Sequence, residues 1–350
     1  MFPPVEFPRQ SSYRYSFSFG INMNKKYSSL RSAQRLNLVE QMPIEFPWSV
    51  YIEPTNRCNF SCVFCPISSK DYLRQGGGEM MTNATFQTIC DQIEEGGRLK
   101  ALRLYMLGEP LLNKRIIDFI AEARRRNLAE RIELTSNGAP LKNASLRSQL
   151  LASGLDYLRI SVYGTTLDEH RQLTQSNSDP SHIRASLAAL KSERDRTGSA
   201  LYIYAKLIDS GDLDQINRFK QQYDAICDEA EIEPPMNWDG QGDYLSPIFA
   251  NTDPSALHAL FPHKKVACPF PFYTAVVHVN GDVSLCCVDW SKMTKVGNIH
   301  TRTLMEIWNG PEAVAFRLLH LSGKRNQNTA CSKCSHLFTS PDNIDDLLTS

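Results

Sequence analysis

The chain has 350 residues, enough to bury a large core and to hold two domains. It is 42% hydrophobic and 22% charged, with a formal net charge of zero, as in ordinary soluble globular proteins. No global basic field points to nucleic acid, and no apolar run approaches the ~20 residues that span a bilayer.

Residues Met1 to Gly20 carry Pro, Ser, Tyr and Phe without a sustained apolar core, which does not read as a secretory signal. A cytoplasmic location is expected. Residues 1–47 read as an N-terminal arm followed by helical spacing from Leu30 to Gln41. Strands and helices then alternate. The strand-like run Trp48 to Glu53 ends at Pro54, and a loop presents Cys58, Cys62 and Cys65. Gly76-Gly77-Gly78 precedes a helix that Thr82 can cap and that runs to about Glu95. A strand over 101–107 ends in Gly108-Glu109-Pro110, and a helix over 114–127 follows. The strand 132–134 ends in Ser136-Asn137-Gly138, and the helix 141–153 stops at Gly154. A strand over 157–163, a helix over 182–196, a strand over 200–208, a helix over 213–223 and a strand over 230–233 complete the series. Six strands with helical crossovers predict a parallel α/β sheet, in which ligands sit at the carboxyl ends of strands.

Ten cysteines in a chain of this length are not the framework of a small secreted scaffold. Seven group as 58/62/65, 268/286 and 331/334, Cys287 sits beside Cys286, and Cys90 and Cys227 stand alone as core candidates. Three thiolates spaced C-x3-C-x2-C suit iron–sulfur ligation and leave one iron of a four-iron cluster open. A zinc site normally closes with four ligands, and the next His after the triplet is His170. A structural zinc loop or reduced core thiols are the alternatives. Further on, Asn280-Gly281 between apolar runs signals a hairpin that would bring Cys268 and Cys286 together. Cys331 and Cys334 can complete four thiols for a cluster or for zinc.

The triplet, with Phe64 just before its third Cys, resembles the radical S-adenosylmethionine (SAM) superfamily. The resemblance implies an incomplete (β/α)6 barrel over residues 48–240 and a 4Fe-4S cluster held by Cys58, Cys62 and Cys65 with SAM on its open iron. Met106 to Pro110 resembles the superfamily's GGE-type motif, with Leu107 in place of its first Gly. Gly108 would then allow close approach, and Glu109 would hold the methionine amino group. Ser136, Asn137 and Ser161 resemble positions facing the SAM carboxylate and ribose; a turn and an inward strand serine are the plainer readings. Lys206 could face the barrel mouth and bind an anion or a substrate hydroxyl, or snorkel at an edge, and Asn237 to Gly240 could wall the cavity or form a linker turn.

After a linker at 241–267, the pattern C-x12-G-x4-C followed by C-x2-C resembles the SPASM/twitch extension. Residues 268–350 are thus expected to form a small hairpin-plus-helix domain with one auxiliary 4Fe-4S cluster on Cys268, Cys286, Cys331 and Cys334. Cys287 is surplus to that set. Adjacent strand residues face opposite ways, so Cys287 can look into the barrel, where a thiol could donate hydrogen as in radical SAM epimerases; a small buried hydrophobe and an alternative ligand are the other readings. The expected function is hydrogen abstraction from a small sugar-like or aminocyclitol-like substrate, with epimerisation through Cys287. Dehydrogenation, peptide modification or a non-catalytic metal protein are the rivals. A reductant such as flavodoxin or ferredoxin is the expected partner.

Overall fold

The structure, a computed structural model, describes residues 37–68, 72, 78–233, 235–237 and 265–348. Residues 1–36, Gly76, Gly77, the run 238–240 and the linker up to 264 lie outside the described residues. A short helix, α1 (Leu38–Gln41), opens the described chain, with the Asn37 side chain accepting from Val39 N.

Repeating units follow: β1 (Ser49–Ile52), α2 (Asn83–Gly96), β2 (Leu99–Arg103), α3 (Ile116–Arg125), β3 (Ala129–Ser136), α4 (Ala144–Ala152), β4 (Tyr157–Val162), α5 (Leu167–Thr174), α6 (Pro180–Thr197), β5 (Tyr202–Ile208), α7 (Leu213–Tyr223) and β6 (Glu229–Glu233). Thr82 caps α2 by accepting from Thr85 N, as its sequence position predicts. β2 starts earlier and ends sooner than expected. Leu104 N still bonds Glu133 O, and the chain then leaves the sheet toward the cysteine loop. The helix α5 was not foreseen. Only His170 and Thr174 of its eight residues are buried, so it shows no apolar period.

The six strands run parallel in the order β6-β5-β4-β3-β2-β1, an open partial barrel. Side chains alternate between its faces. Leu102, Ile132, Leu158 and Ile203 are fully buried in the core cluster that also holds the helix residues Phe86, Phe119 and Leu187. The opposite face carries Tyr51, Arg103, Glu133, Arg159 and Lys206. Arg103 pairs with Glu133 at 2.9 Å, and Arg159 pairs with Glu233 at 2.5 Å.

The C-terminal part contributes β7 (Thr274–Val277), β8 (Asp282–Ser284), β9 (Lys295–Asn298), α8 (Leu304–Trp308) and α9 (Pro311–Leu321). The hairpin forms as predicted, with Gly281 at φ +84° in its turn. Its place was not foreseen. β7 pairs parallel with β1, from Ser49↔Thr274 to Ile52↔Val277, so a single nine-stranded sheet runs through both parts.

A buried polar contact reinforces that junction. The Glu53 Oε2 accepts from Val279 N at 3.2 Å and lies 3.4 Å from His278 Nδ1, close but outside hydrogen-bond angles. The other ring nitrogen of His278 meets Ser284 Oγ at 2.9 Å. Burial alone would raise the Glu53 carboxyl, but His278 and the Val279 N–H outweigh it and hold Glu53 below the usual carboxylate range. A depressed carboxyl contributes stability that is complete above its unfolded value and is lost as pH falls through the folded one. Glu53→Ala leaves the buried Val279 N–H without its acceptor. It is expected to cost about 1–3 kcal/mol in chemical denaturation and to flatten the loss of stability at acid pH.

Candidate active site

The cysteine loop leaves β1 at its carboxyl end. Ser61 N and Val63 N donate to Thr174 O and Leu173 O, at 3.0 and 2.9 Å, which pins the loop to α5. Cys65 N donates to Cys62 O at 2.9 Å. The Cys58 thiol accepts from Phe60 N at 3.4 Å and lies 3.9 Å from Asn137 Nδ2. Burial pushes Cys58 up to about 11 and Cys65 to about 12, and it raises Cys62 as well. Three soft donors are therefore gathered on one loop, neutral until a cation displaces their protons.

Glu109 stands beside them, 1% exposed. One of its oxygens accepts from Ser136 Oγ at 2.8 Å and Leu111 N at 3.0 Å, and the other from Asn137 N at 2.7 Å. Burial raises its carboxyl to about 7 against those three donors. Among the described residues no cation pairs with it. A buried carboxylate without a counter-charge is costly, so this one suits a cationic ligand. Ser136 and Asn137 spend their bonds on building the site. Ser136 holds Glu109, while Asn137 reaches both Cys58 and Asn59 Oδ1. Gly108 has φ +77°, and a Cβ there would lie 2.4 Å from Thr55 O and 2.6 Å from Arg57 O. Its close approach is thus to the backbone leading into the cysteine loop.

Ser161 is buried. The Phe64 ring meets Tyr163 at 5.3 Å and helps line an apolar pocket with Val162, Leu173, Leu207 and Ile208. Of this wall, the sequence reading had singled out Phe64 alone.

The second set of thiols gathers from two directions. Cys268 feels Cys334 and Cys331 electrostatically, and Cys286 feels Cys334 and Cys268. His320, fully buried on α9, accepts from Cys268 N at 3.2 Å through Nδ1 and lies 3.9 Å from the Cys331 thiol through Nε2. Nothing in the sequence marked His320, which looks like one more position of an apolar helix. Among the described residues, no three His, Cys, Asp or Glu side chains converge as a single metal ion requires. A multi-iron cluster spreads its thiolates farther apart, and the donor chemistry of both sets fits one.

Cys287 reaches the barrel by a different route from the one expected. β8 ends at Ser284, so Cys286 and Cys287 lie in a turn and strand alternation does not orient them. The Cys287 thiol lies 3.5 Å from His336 Nε2 and is near enough to Tyr51 and Arg103 to feel both. It therefore faces the polar interior of the barrel. Burial pushes it up to about 11, against Tyr51 and Arg103, so it is a neutral S–H. The His336 ring stacks on Phe270 at 4.2 Å, which fixes its plane beside the thiol. Cys90 and Cys227 are buried core residues, as expected.

An open six-stranded parallel barrel with a cysteine triplet and an unpaired buried carboxylate at its strand ends defines a radical SAM enzyme. A model of the radical SAM superfamily matches residues 52–204, and a model of the SPASM iron–sulfur cluster-binding domain matches residues 268–335. The chain carries both domains. Their cofactors are a 4Fe-4S cluster with SAM and, for the second, auxiliary iron–sulfur clusters. The chain is 23% identical to the S-adenosyl-L-methionine-dependent 2-deoxy-scyllo-inosamine dehydrogenase of Niallia circulans, over 82% of this chain and 92% of that one. It is 32% identical to a PqqA peptide cyclase of Xanthomonas oryzae, over 33% and 29% of the respective lengths. Among solved structures, BtrN in complex with AdoMet and 2-DOIA superposes with a TM-score of 0.52 at 18% identity, covering 83% of this chain and 93% of that one. The structure of anSMEcpe with bound AdoMet gives a TM-score of 0.56 at 15% identity, with 86% and 88% covered. No helix among the described residues is long and apolar enough to cross a membrane.

Gly108→Ala places a side chain at positive φ and against two carbonyl oxygens. It is expected to cost at least about 1–3 kcal/mol from backbone strain, measured by chemical denaturation beside wild type.

Proposed function

We propose that Cys58, Cys62 and Cys65 hold the SAM-binding cluster, that Glu109 receives the SAM ammonium, and that Cys268, Cys286, Cys331 and Cys334 hold one auxiliary cluster. The apolar pocket at Phe64 suits the adenine base. The bound cofactors supply a carbon-centred radical that removes a hydrogen atom from an unactivated carbon. The substrate is a small polyhydroxylated molecule held in the barrel interior by the polar face of the strands. Cys287 then returns a hydrogen atom to the opposite face of that carbon, and the product is an epimer. The observation that carries this reading is the buried, neutral Cys287 thiol facing the barrel between Tyr51 and His336. Giving up a hydrogen atom leaves Cys287 one electron and one proton short. A one-electron donor of the flavodoxin or ferredoxin type would restore the electron, and solvent the proton.

Dehydrogenation of an alcohol carbon is the second reading, favoured by the aminocyclitol dehydrogenase whose length the chain nearly spans. In that case a cluster held by Cys268, Cys286, Cys331 and Cys334 would supply the one-electron oxidation, a base would take the proton, and Cys287 would play no part. Peptide modification has less support, because the peptide cyclase match spans only a third of this chain.

Anaerobically reconstituted protein with SAM and a reductant is expected to release 5′-deoxyadenosine, and Cys58→Ala to release none. Glu109→Gln should weaken SAM binding by about 10- to 100-fold in equilibrium dialysis, the equivalent of one charge-assisted contact. Absence of cleavage with iron bound would sink the enzyme reading. With the true substrate in deuterated water, epimerisation fixes deuterium at the reacting carbon and Cys287→Ala abolishes that label. A product two mass units lighter, indifferent to Cys287→Ala, marks dehydrogenation instead.

A further inference from the structure

Two cations on neighbouring strands of the barrel interior share one carboxylate. Arg159 on β4 and Lys206 on β5 both turn to Glu233 at the end of β6, at 2.5 and 3.4 Å. Their side chains are only 14% and 15% exposed. Tyr204 also donates to that carboxylate, at 3.2 Å. One negative charge thus serves two cations. The Arg159 Nε is buried with no hydrogen-bond partner. The same imbalance recurs across the sheet, where Arg103 and Arg131 share Glu133 at 2.9 and 2.5 Å. The other carboxylates on that face of β6 are engaged elsewhere: Glu231, which lies opposite Lys206 in the register, pairs with Lys220 at 3.6 Å, and Glu229 accepts from the Tyr202 hydroxyl at 3.0 Å. Burial and the Arg159 charge push Lys206 down to about 8 in spite of Glu233, the response of a cation short of counter-charge. A buried excess of charge is costly until something supplies its opposite. A guanidinium with a free Nε beside an ammonium is a fork suited to phosphate or carboxylate oxygens. His336, whose Nε2 lies 3.5 Å from the Cys287 thiol, also feels the charges of Arg159 and Glu233. The cation pair and the thiol therefore lie on the same side of the sheet.

We propose that the substrate carries an anionic group, a phosphate ester or a carboxylate, seated between Arg159 and Lys206. This rests on the reading that the substrate occupies the barrel interior, and it narrows the polyhydroxylated class to its anionic members. The seat would hold the anion on the β4–β6 side while the carbon skeleton extends toward Cys287.

The test is equilibrium binding to the reconstituted, SAM-loaded enzyme, with inorganic phosphate, a hexose phosphate, a hexuronate and the neutral hexose as probes. At least one sugar anion is expected to bind 10-fold or more tightly than the neutral hexose, and the tighter of the two identifies the anion. Arg159→Gln and Lys206→Gln should each weaken phosphate and that sugar anion by at least 10-fold. Glu233→Gln removes the competing carboxylate and should tighten them, a gain that a misfolded variant cannot mimic. Equal binding of charged and neutral sugars, or anion binding indifferent to all three substitutions, overturns the proposal. So does a parallel loss of SAM affinity in the Arg159 and Lys206 variants, which would assign the pair to the methionine carboxylate. Wild-type release of 5′-deoxyadenosine without any preference for anions would defeat this inference alone. No release at all would defeat the enzyme reading instead.

Discussion

The pairing of β1 with two neighbours is the constraint on which the rest depends. β1 is bonded to β2 on one edge and to β7 on the other, and the cysteine loop begins where it ends. The first cysteine set is placed by β1 and its loop. Of the second, Cys268 and Cys286 flank the hairpin that β7 begins. Strand spacing in a sheet is set by backbone hydrogen bonds at about 4.8 Å, so the two sets are related through rigid backbone rather than through side-chain contacts. Gln92 adds a tie on the outside. It donates to Ile299 O at 3.0 Å and accepts from Leu304 N at 2.9 Å, joining α2 to the C-terminal part.

Polarity inside the barrel is the other side of this design. The apolar residues of the strands face the helices, while charged and phenolic groups fill the concave face. Tyr157 stacks on Tyr202 at 5.5 Å and on Tyr204 at 5.9 Å. Such an interior is held open by charge and hydrogen bonding, not closed by hydrophobic contact. Glu109 follows the same logic at the strand ends, where its three donors keep a carboxylate oriented for a cation.

Much of this was legible in the chain before any coordinates. The cysteine spacings, the Asn280-Gly281 turn and the Glu109 motif are local signals, and local signals survive in a sequence. The docking of β7 on β1 is not local. The paired residues lie more than 200 positions apart, and neither strand says which edge it will meet. Orientation of Cys287 was inferred from strand alternation, but a turn sets it, because the strand stops at Ser284. His320 and His336 act through contacts made across the C-terminal fold, which no spacing rule marks. The barrel charges were legible in principle. Arg103, Glu133, Arg159 and Lys206 all sit at inward positions of otherwise apolar strands, yet of these the sequence reading had singled out only Lys206.

The nine-stranded sheet has a consequence for how the two halves can be separated. A chain cut before β7 would strip β1 of a partner and bare a row of backbone donors and acceptors along the strand that carries the first cysteine loop. Such an edge invites pairing with another molecule. The edge strand of the six-stranded part is therefore completed by β7, and the two parts share one sheet rather than meeting as separate modules.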